Sequence, residues 1–435
     1  MRSRDGQGRS RFTYMRSAPP ILTILLGLAM LPTGNAAFAQ SSNSGNGYLA
    51  LVGGTIYVNP TAEPIRDGVV LVQGGKIAAV GSREQVEIPQ RAERLDCSGR
   101  TITAGFWNNH VHFFERKWAN VGSIPAPELG RQLQEMVTRY GFTSVFDLGS
   151  MWENTRRLRD RIEAGEVPGP RIRSTGEPLL APKAVPSERI LSILGFMAFP
   201  TPEITNPEQA AAAARRLLDE GVDGIKVHLQ PPPPPNPPFP LSAIPAAVSE
   251  AHRVGKPVFV HPNTGADVLG AVRAGVDVVA HTTPRSGPWD ETILAAMKEH
   301  RVALTPTLTL WKYFLRHDRL SAQEQLVDTA VGQLRAWVAS GGTVLFGTDL
   351  GAIEYDPGDE YALMAQAGMS FPQILASLTT APAERFGESK HLGEVAAGLP
   401  ADLVILEGDP SKSIRALTAV KYTLRAGKII YRARE

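Results

Sequence analysis

Two histidines one residue apart are the first feature of this 435-residue chain that indicates chemistry. His110 and His112 end a run of apolar and polar residues typical of a strand, and side chains alternate along a strand, so both imidazoles point to the same side. Two neutral imidazoles that converge form a chelate for zinc or a similar ion. Packed histidines also occur with this spacing, so its meaning depends on what the other strands present.

Three further residues of metal-ligand type stand at the ends of later apolar segments. His261 and His281 each end one such segment, and Asp349 follows another in the sequence Phe-Gly-Thr-Asp. Each of them alone fits a packed core or surface residue, but four strands that end in ligand types favour a shared site. Cys97 is the only cysteine, which excludes a thiolate cluster, so a metal here would be held by nitrogen and oxygen.

Lys226 lies inside another apolar segment, in the sequence Gly-Ile-Lys-Val-His. From residue type alone, the simpler interpretation is a lysine whose ammonium group reaches solvent. The alternative is a carbamate, formed from the neutral amine and carbon dioxide, whose carboxylate could bridge two metal ions. A nearby cationic site would lower the pKa of this lysine and so favour the neutral amine.

The elements that must position these residues alternate between strands and helices. Eight short segments are predicted as strands, at residues 102–112, 144–147, 172–175, 224–228, 258–261, 278–281, 302–305 and 344–348. Amphipathic segments predicted as helices include residues 127–140, 153–164, 206–220, 241–254 and 321–340. This alternation predicts an α/β chain with a (β/α)8 TIM barrel, in which reactive residues meet at the carboxyl ends of the strands. A doubly wound open sheet is the alternative, although the chain has neither GxGxxG after a first strand nor GxxxxGK[ST].

Both ends of the chain have the pattern of an antiparallel sheet. Alternating apolar residues with glycine turns between them occupy residues 49–52, 55–58, 69–73 and 76–80, and the pattern returns at residues 402–407, 420–426 and 428–432. We therefore expect the two ends to form one small sheet domain.

Residues 1–39 are predicted to be a signal peptide that is cleaved after Ala39. Five arginines precede the apolar stretch 21–31, and residues 37–39 (Ala-Phe-Ala) are the small residues that a signal peptidase recognises. This stretch is shorter than the roughly 20 residues of a membrane span. The mature chain is thus expected to be exported, periplasmic or secreted, with no stable membrane span. Over all 435 residues, 45 Lys plus Arg nearly balance 43 Asp plus Glu, which argues against nucleic acid as a partner.

Eight motifs then stand in one order along the chain: GFWNNHVH at 105–112, GFTSVFDLG at 141–149, GPRI at 169–172, Lys226, VH at 260–261, AH at 280–281, GTD at 347–349 and ADLVILEGDP at 401–410. In these motifs the chain resembles the amidohydrolase superfamily, from about residue 49 to the C-terminus. Its imidazolonepropionase-like and prolidase-like branch is the most similar, and the prolidase-like members are favoured because true imidazolonepropionases lack the bridging lysine. Three positions depart from the family pattern: Asn108 stands in place of Asp, Phe146 in place of Arg and Pro262 in place of Ala.

The resemblance implies a (β/α)8 TIM barrel at residues 105–375 and a small β-sandwich built from residues 40–104 and 376–435. It also implies two divalent metal ions, with zinc the favoured ion. By this resemblance His110, His112 and Asp349 hold the more buried ion, His261 and His281 hold the second, and Lys226, carboxylated at its side-chain nitrogen, bridges both.

A metal centre of this kind predicts hydrolysis. Bound metal lowers the pKa of coordinated water from 15.7 to roughly 7, so a bridging hydroxide can attack a carbonyl carbon. Asp349 would accept its proton and pass it to the departing amine, unless it is a purely structural ligand. We therefore expect an exported metal-dependent hydrolase of C–N bonds in a small-molecule substrate, such as a dipeptide or an N-acyl amino acid. A lactonase or phosphoesterase on the same metals, and a catalytically silent barrel that serves as a binding protein, are the alternatives; a homo-oligomer is left open.

Further residues could shape the pocket. His228 lies two residues beyond Lys226, so strand alternation directs it to the same side, either as a substrate contact or as a structural histidine. Trp311 and Tyr313 line the pocket or pack on a helix. Asp147, at the end of the second predicted strand, is expected to tie loops together.

Residues 230–240 (QPPPPPNPPFP) are the least ordinary segment of the sequence. Prolines at this density favour a stiff polyproline II conformation. The segment is expected to form a wall above the site, or an exposed linker or a ligand for another protein.

Overall fold

The computed structural model describes residues 47–184, 202–314, 320–352 and 356–434. The predicted signal peptide lies outside these residues. Within them, every helix is too short or too polar to cross a bilayer.

Strands and helices alternate through the middle of the described chain, and strands without α-helices between them occupy residues 48–104 and 403–432. The strands are β1 (Tyr48–Ile56), β2 (Ile65–Gln73), β3 (Lys76–Ser82), β4 (Glu93–Asp96), β5 (Arg100–Ala104), β6 (Phe106–Val111), β7 (Phe142–Asp147), β8 (Arg171–Ser174), β9 (Ile225–His228), β10 (Val258–His261), β11 (Val278–Ala280), β12 (Ala303–Thr305), β13 (Thr343–Val344), β14 (Leu403–Glu407), β15 (Val420–Arg425) and β16 (Lys428–Arg432). The α-helices are α1 (Ala126–Met136), α2 (Trp152–Glu163), α3 (Pro207–Asp219), α4 (Ile244–Arg253), α5 (Gly265–Arg273), α6 (Glu291–Glu299), α7 (Leu308–Phe314), α8 (Leu320–Ala339), α9 (Gly358–Gln366), α10 (Phe371–Leu378) and α11 (Thr380–Arg385).

Strands from both ends of the chain share one sheet, in the order β16-β15-β14-β5-β1-β2-β3, with β4 paired to β1. The two ends meet where β14 pairs antiparallel with β5, so that Leu403 lies opposite Ala104 and Ile405 opposite Ile102. The segments predicted at 49–52 and 55–58 are one strand, β1, whose register shifts after Val52. The sequence interpretation missed β4 because Leu95 is its only apolar residue.

Residues 102–112, predicted as one strand, belong to two strands that Gly105 separates. β5 before it belongs to the antiparallel sheet, and β6 after it belongs to a parallel sheet. A Cβ atom on Gly105 would lie 2.2 Å from the Thr143 hydroxyl oxygen, and its N–H donates to the Asp402 carbonyl at 2.8 Å. The change of sheet thus requires a residue with no side chain.

The middle of the chain forms two parallel sheets, β6-β7-β8 and β13-β12-β11-β10-β9. An isolated parallel bridge joins Val111 of β6 to Leu350, shortly after β13, and another joins Leu179, shortly after β8, to Val227 of β9. Of the predicted strand 344–348, only Val344 belongs to β13 and its ladder with β12. The residues beyond it lie beside β6, where Asn109 N–H donates to Phe346 O at 2.8 Å. Every residue of β6 and β7 is buried, as expected of strands covered on both faces.

Amphipathic helices cover these strands. In α3 the buried residues Ala210, Ala214 and Leu217 recur at helical spacing. The helix begins after Asn206, whose side chain accepts a hydrogen bond from Gln209 N–H at 2.9 Å. The predicted alternation of strands and helices is therefore one of buried strands with half-buried helices.

The proline-rich segment 230–240 does not form the continuous polyproline II conformation predicted from its composition. Its middle folds into a turn in which the backbone N–H of Asn236 donates to Pro233 O at 3.2 Å, and its side-chain amide donates to the same oxygen at 2.8 Å. Pro232 and Phe239 are buried on either side of this turn, while Pro233, Pro234 and Pro235 are exposed. The asparagine supplies the hydrogen bonds that a run of prolines lacks.

Candidate metal centre

His110, His112 and Asp349 converge where β6 ends and the segment after β13 passes it. The Nε2 atoms of His110 and His112 lie 3.2 Å and 2.9 Å from Asp349 Oδ1. One ligand atom from each of the three residues falls within 4.8 Å of the others, and all three residues are buried. This geometry suits a single ion held by two nitrogens and one oxygen.

The backbone after β13 is shaped to bring Asp349 to β6. Asp349 has a φ of +62°, which non-glycine residues rarely adopt, and its N–H donates to His110 O at 2.8 Å. Two residues on, Gly351 has a φ of +98°, and a Cβ atom there would lie 2.0 Å from His112 O. Close backbone contact, rather than side-chain packing, therefore sets the distance between the carboxylate and the two histidines.

Asn108 joins the two segments that carry these ligands. Its amide donates to Thr348 Oγ1 at 2.7 Å, and its oxygen accepts from the N–H groups of His110 and Thr348, both at 3.2 Å. The residue that departs from the resembled family's usual Asp is thus a buried connector.

The other predicted histidines extend the same cluster. The His281 ring centroid lies 4.5 Å from that of His110 and 4.6 Å from that of His261. His228 stacks on His261 with centroids 3.9 Å apart and an interplanar angle of 8°. The structure thus brings together five imidazoles from four strands, β6, β9, β10 and β11, or from the residue that follows them. His228 takes part through its contact with His261.

Lys226 is buried within this cluster, with 1% of its surface exposed and no hydrogen-bond partner for Nζ. Burial lowers the pKa of its amine to about 7, against the opposing effect of Asp349. The interpretation of Lys226 as a solvent-exposed lysine is wrong, because β9 directs the side chain into the protein among the histidines.

The electrostatic environment keeps four of the five imidazoles neutral and Asp349 ionised. Burial holds the pKa values of His110, His228 and His261 well below the usual range and lowers that of His281 to about 3. Burial alone would raise the pKa of Asp349, but the hydrogen bond with His112 and nearby positive charge bring it below its usual value. Neutral imidazoles and a carboxylate are the forms that bind divalent metals.

A buried nitrogen atom without a hydrogen-bond partner indicates whether a metal centre fits this site. Nζ of Lys226 is buried beside the candidate ligands and has no hydrogen-bond partner in the described structure. Buried nitrogens without partners are costly unless something else satisfies them. The donor set of imidazole nitrogen and carboxylate oxygen fits a divalent transition metal such as zinc.

The remaining predicted residues lie around the cluster. The Trp311 indole donates to Thr282 Oγ1 at 2.9 Å and packs against the main hydrophobic core, and Tyr313 is half-buried on the same helix, α7. Asp147 is fully buried and accepts hydrogen bonds from the hydroxyls of Ser150, Thr155 and Ser174, which join the end of β7 to α2 and to the end of β8.

The sequence interpretation missed two residues that contact candidate metal ligands and a third that holds the turn beside one of them. The Phe114 ring lies 4.7 Å from that of His112, Thr307 Oγ1 lies 2.6 Å from His281 Nδ1, and Glu360 is buried beside Thr309. The only sequence signal for Phe114 and Thr307 is that each closely follows a predicted strand. Glu360 gives none, because in the sequence it resembles any charged residue of a surface helix.

Comparison with known proteins gives a consistent result. The sequence pattern of the amidohydrolase family matches residues 101–430. An uncharacterized protein of Mycobacterium tuberculosis is 28% identical over 298 residues, covering 64% of this chain and 72% of that protein. A solved Xaa-Pro dipeptidase with bound methionine has a TM-score of 0.75 at 21% identity, and a solved prolidase in complex with N-methylphosphonate-L-proline has one of 0.71 at 25% identity; each similarity covers 89% of this chain and 100% of the other.

Proposed function

The chain belongs to the amidohydrolase family, and from this premise we propose that it is a metal-dependent hydrolase that cleaves C–N bonds in small molecules such as dipeptides or N-acyl amino acids. The observation that carries the proposal is the convergence of five imidazoles, Asp349 and the buried Lys226 at the ends of parallel strands. The TIM-barrel-type α/β fold of the family agrees with the alternation of strands and helices.

We infer that the eight parallel strands close into a (β/α)8 barrel. The two isolated bridges, Val111 with Leu350 and Leu179 with Val227, support closure because each links an edge of one parallel sheet to an edge of the other. The antiparallel sheet from both chain ends would then be the core of the small β-sandwich domain expected over residues 40–104 and 376–435.

The metal centre would be divided between two groups of ligands. His110, His112 and Asp349 would hold the more buried ion, and His261 and His281 the second. When bound, two such ions supply a water of lowered pKa and an electrophile for the carbonyl oxygen.

Lys226 would serve as the bridge after reaction with carbon dioxide. The neutral amine adds to carbon dioxide, a new N–C bond forms and one proton is released, which leaves a carbamate anion on the side chain. Burial of Nζ without a partner supports this role, because an ammonium group at that position would be left unpaired.

Asp349 would carry the proton. Its carboxylate is held ionised, so it can accept a proton from the attacking water and return it to the leaving nitrogen. The backbone hydrogen bond from Asp349 N–H to His110 O, at 2.8 Å, would hold the residue in place for both transfers.

The preference for C–N bonds draws support from the solved proteins of similar fold, which include a Xaa-Pro dipeptidase and a prolidase. A lactonase or a phosphoesterase on the same metals remains the second candidate, because an activated water attacks all three classes. Export of the chain is part of the proposal and is supported by the features of residues 1–39.

Metal content and a substrate panel test this function together. Protein beginning at residue 40, reconstituted with zinc and bicarbonate, is expected to hold about two ions per chain and to cleave Xaa-Pro dipeptides or N-acyl amino acids. Lactones and phosphoesters that carry the same reporter group are assayed beside these substrates for comparison. The control variant is Asp349→Asn, whose rate of hydrolysis is expected to fall 10² to 10⁴-fold. One ion or none after reconstitution would refute the binuclear centre, and faster lactone or phosphoester turnover would refute the C–N preference.

A further inference from the structure

Glu360 is a fully buried carboxylate, 0% exposed, that the proposed chemistry does not use. It lies on α9 and binds the first turn of α7. Its Oε1 accepts from Leu308 N–H, and its Oε2 accepts from Thr309 N–H and from the Thr309 hydroxyl, all at 2.8 Å. Burial raises the pKa of this carboxyl to about 7, and the three donors oppose that rise.

Tyr361, the residue after Glu360, packs α9 against the segment that leads from β13 to Asp349. The Tyr361 ring stacks on Phe346 with centroids 4.7 Å apart and an interplanar angle of 26°. Phe346 precedes the Asp349 turn by only three residues. Two consecutive residues of α9 therefore contact the segment after β12 and the segment after β13.

The turn that Glu360 holds presents Thr307 to His281. Thr307 has a φ of +44°, an unfavourable value for a β-branched residue, and its hydroxyl oxygen lies 2.6 Å from His281 Nδ1. The same hydroxyl donates to Pro306 O at 2.9 Å. Because a hydroxyl has one proton, His281 Nδ1–H must donate to Thr307, which leaves the lone pair on Nε2.

We propose that Glu360 is a positioning residue that holds the 307–309 turn, and through Thr307 fixes the orientation and tautomer of the His281 ring as a ligand of the second metal ion. This inference rests on the metal centre proposed above. Hydrogen bonds behind a ligating histidine fix its tautomer, and their loss typically weakens metal binding 10 to 100-fold. Here the support reaches the histidine through one backbone turn, because the bonds from Leu308 and Thr309 hold Thr307 in its unfavourable conformation.

The first test measures the affinity of each of the two sites for zinc by chelator competition in the full-length mature chain. Glu360→Gln is expected to bind the ion at His261 and His281 10 to 100-fold less tightly. The ion at His110, His112 and Asp349 is expected to keep its affinity. Asp290→Asn is the matched control, because Asp290 also accepts a helix N–H, from Ile293 at 2.9 Å, but on α6. This control is expected to keep both affinities. Equal loss in the control, or unchanged affinities in folded Glu360→Gln, would overturn the inference.

A second readout does not depend on metal. In the metal-free chain, ¹⁵N NMR of the histidine rings should show His281 protonated at Nδ1, and Glu360→Gln and Thr307→Val should both shift that signal while Thr307→Ser keeps it. The double variant should show no further shift than Thr307→Val alone. A His281 signal that stays at its wild-type position in Glu360→Gln would reject the role of Glu360.

The two readouts separate failure of the inference from failure of the proposed function. If the wild-type chain binds only one ion, the binuclear centre fails, and the NMR signal alone decides whether Glu360 positions His281. If Glu360→Gln does not fold, Thr309→Val takes its place, since it removes only the hydroxyl bond to Glu360.

Discussion

Lys226 ends in a buried nitrogen atom that has no hydrogen-bond partner in the described structure. An ammonium group there would be desolvated without compensation, which is why burial lowers its pKa to about 7. A neutral amine avoids that cost, and a carbamate avoids it only if cations lie beside it. The residue is thus stable as a neutral amine, and in the proposed binuclear centre it would be stable as a carbamate.

Replacement of Lys226 by alanine distinguishes these states. Lys226→Ala is expected to retain at most one tightly bound ion and little activity, because two cations are left without the negative group that offsets their repulsion. Acetate or propionate should restore part of the activity by placing a carboxylate in the vacated space. Metal content and rate, with and without added acid, are the measurements.

Lys256→Ala serves as the matched control for that substitution. Lys256 is a partly exposed lysine whose Nζ lies 3.9 Å from Asp223, and its loss is expected to change stability by no more than about 0.5 kcal/mol. Full metal content and rate in Lys226→Ala without acid would contradict the carbamate bridge.

At the scale of elements, the turn from Asp349 to Gly351 determines whether the carboxylate reaches the histidines. Gly351 has a φ of +98° and lies against the His112 carbonyl, so the turn closes only without a side chain. The strained φ of Asp349 is held by this contact and by the hydrogen bond from its N–H to His110 O.

Gly351→Ala is therefore expected to displace Asp349, with loss of the more buried ion and a decrease of about 1 to 3 kcal/mol in the free energy of unfolding. Gly368→Ala is the matched control, since Gly368 has a φ of +95° but no atom within 4 Å of an added Cβ. The control should share the backbone strain and keep the metal. Equal metal content in the two variants, measured by elemental analysis, would show that the close contact at Gly351 is unimportant.

The convergence of the proposed metal ligands could be predicted from the sequence because strand ends are visible in it. His110, His261 and His281 close apolar segments, and the repeated strand and helix pattern places such ends at one rim. Thr307 and Glu360 could not be predicted in this way, because their roles depend on an unusual backbone angle and on a contact between two distant helices. The split at Gly105 was missed for a similar reason, since the clash that requires glycine involves Thr143, a residue of another strand.

On the scale of the whole molecule, one sheet holds the two ends of the chain together. Cys97 lies in its hydrophobic core, 0% exposed, among residues that include Leu51, Ile102 and Leu403. Burial raises the pKa of its thiol to about 12, above the value in an unfolded chain. At about pH 8 the folded protein therefore keeps the thiol protonated, while an unfolded chain would expose a substantial fraction of reactive thiolate.

Thiol labelling should report the integrity of this sheet. We expect the native chain to resist a thiol reagent at about pH 8 and to take up one equivalent in concentrated guanidinium chloride. Labelling should rise together with the loss of secondary structure measured by circular dichroism. Rapid stoichiometric labelling in native buffer would show that the sheet opens without global unfolding.

The pairing of β5 with β14 has a consequence during synthesis of the chain. Arg100 and Glu407, which lie opposite each other in this pair and form an ion pair at 3.1 Å, are 307 positions apart. At ribosomal rates, roughly 15 to 60 s separate the emergence of the two strands, and during that time β5 is an unpaired edge that can join to another chain. A nascent molecule is thus exposed to aggregation in the interval when strands β6 to β13 are already made and β14 to β16 are not.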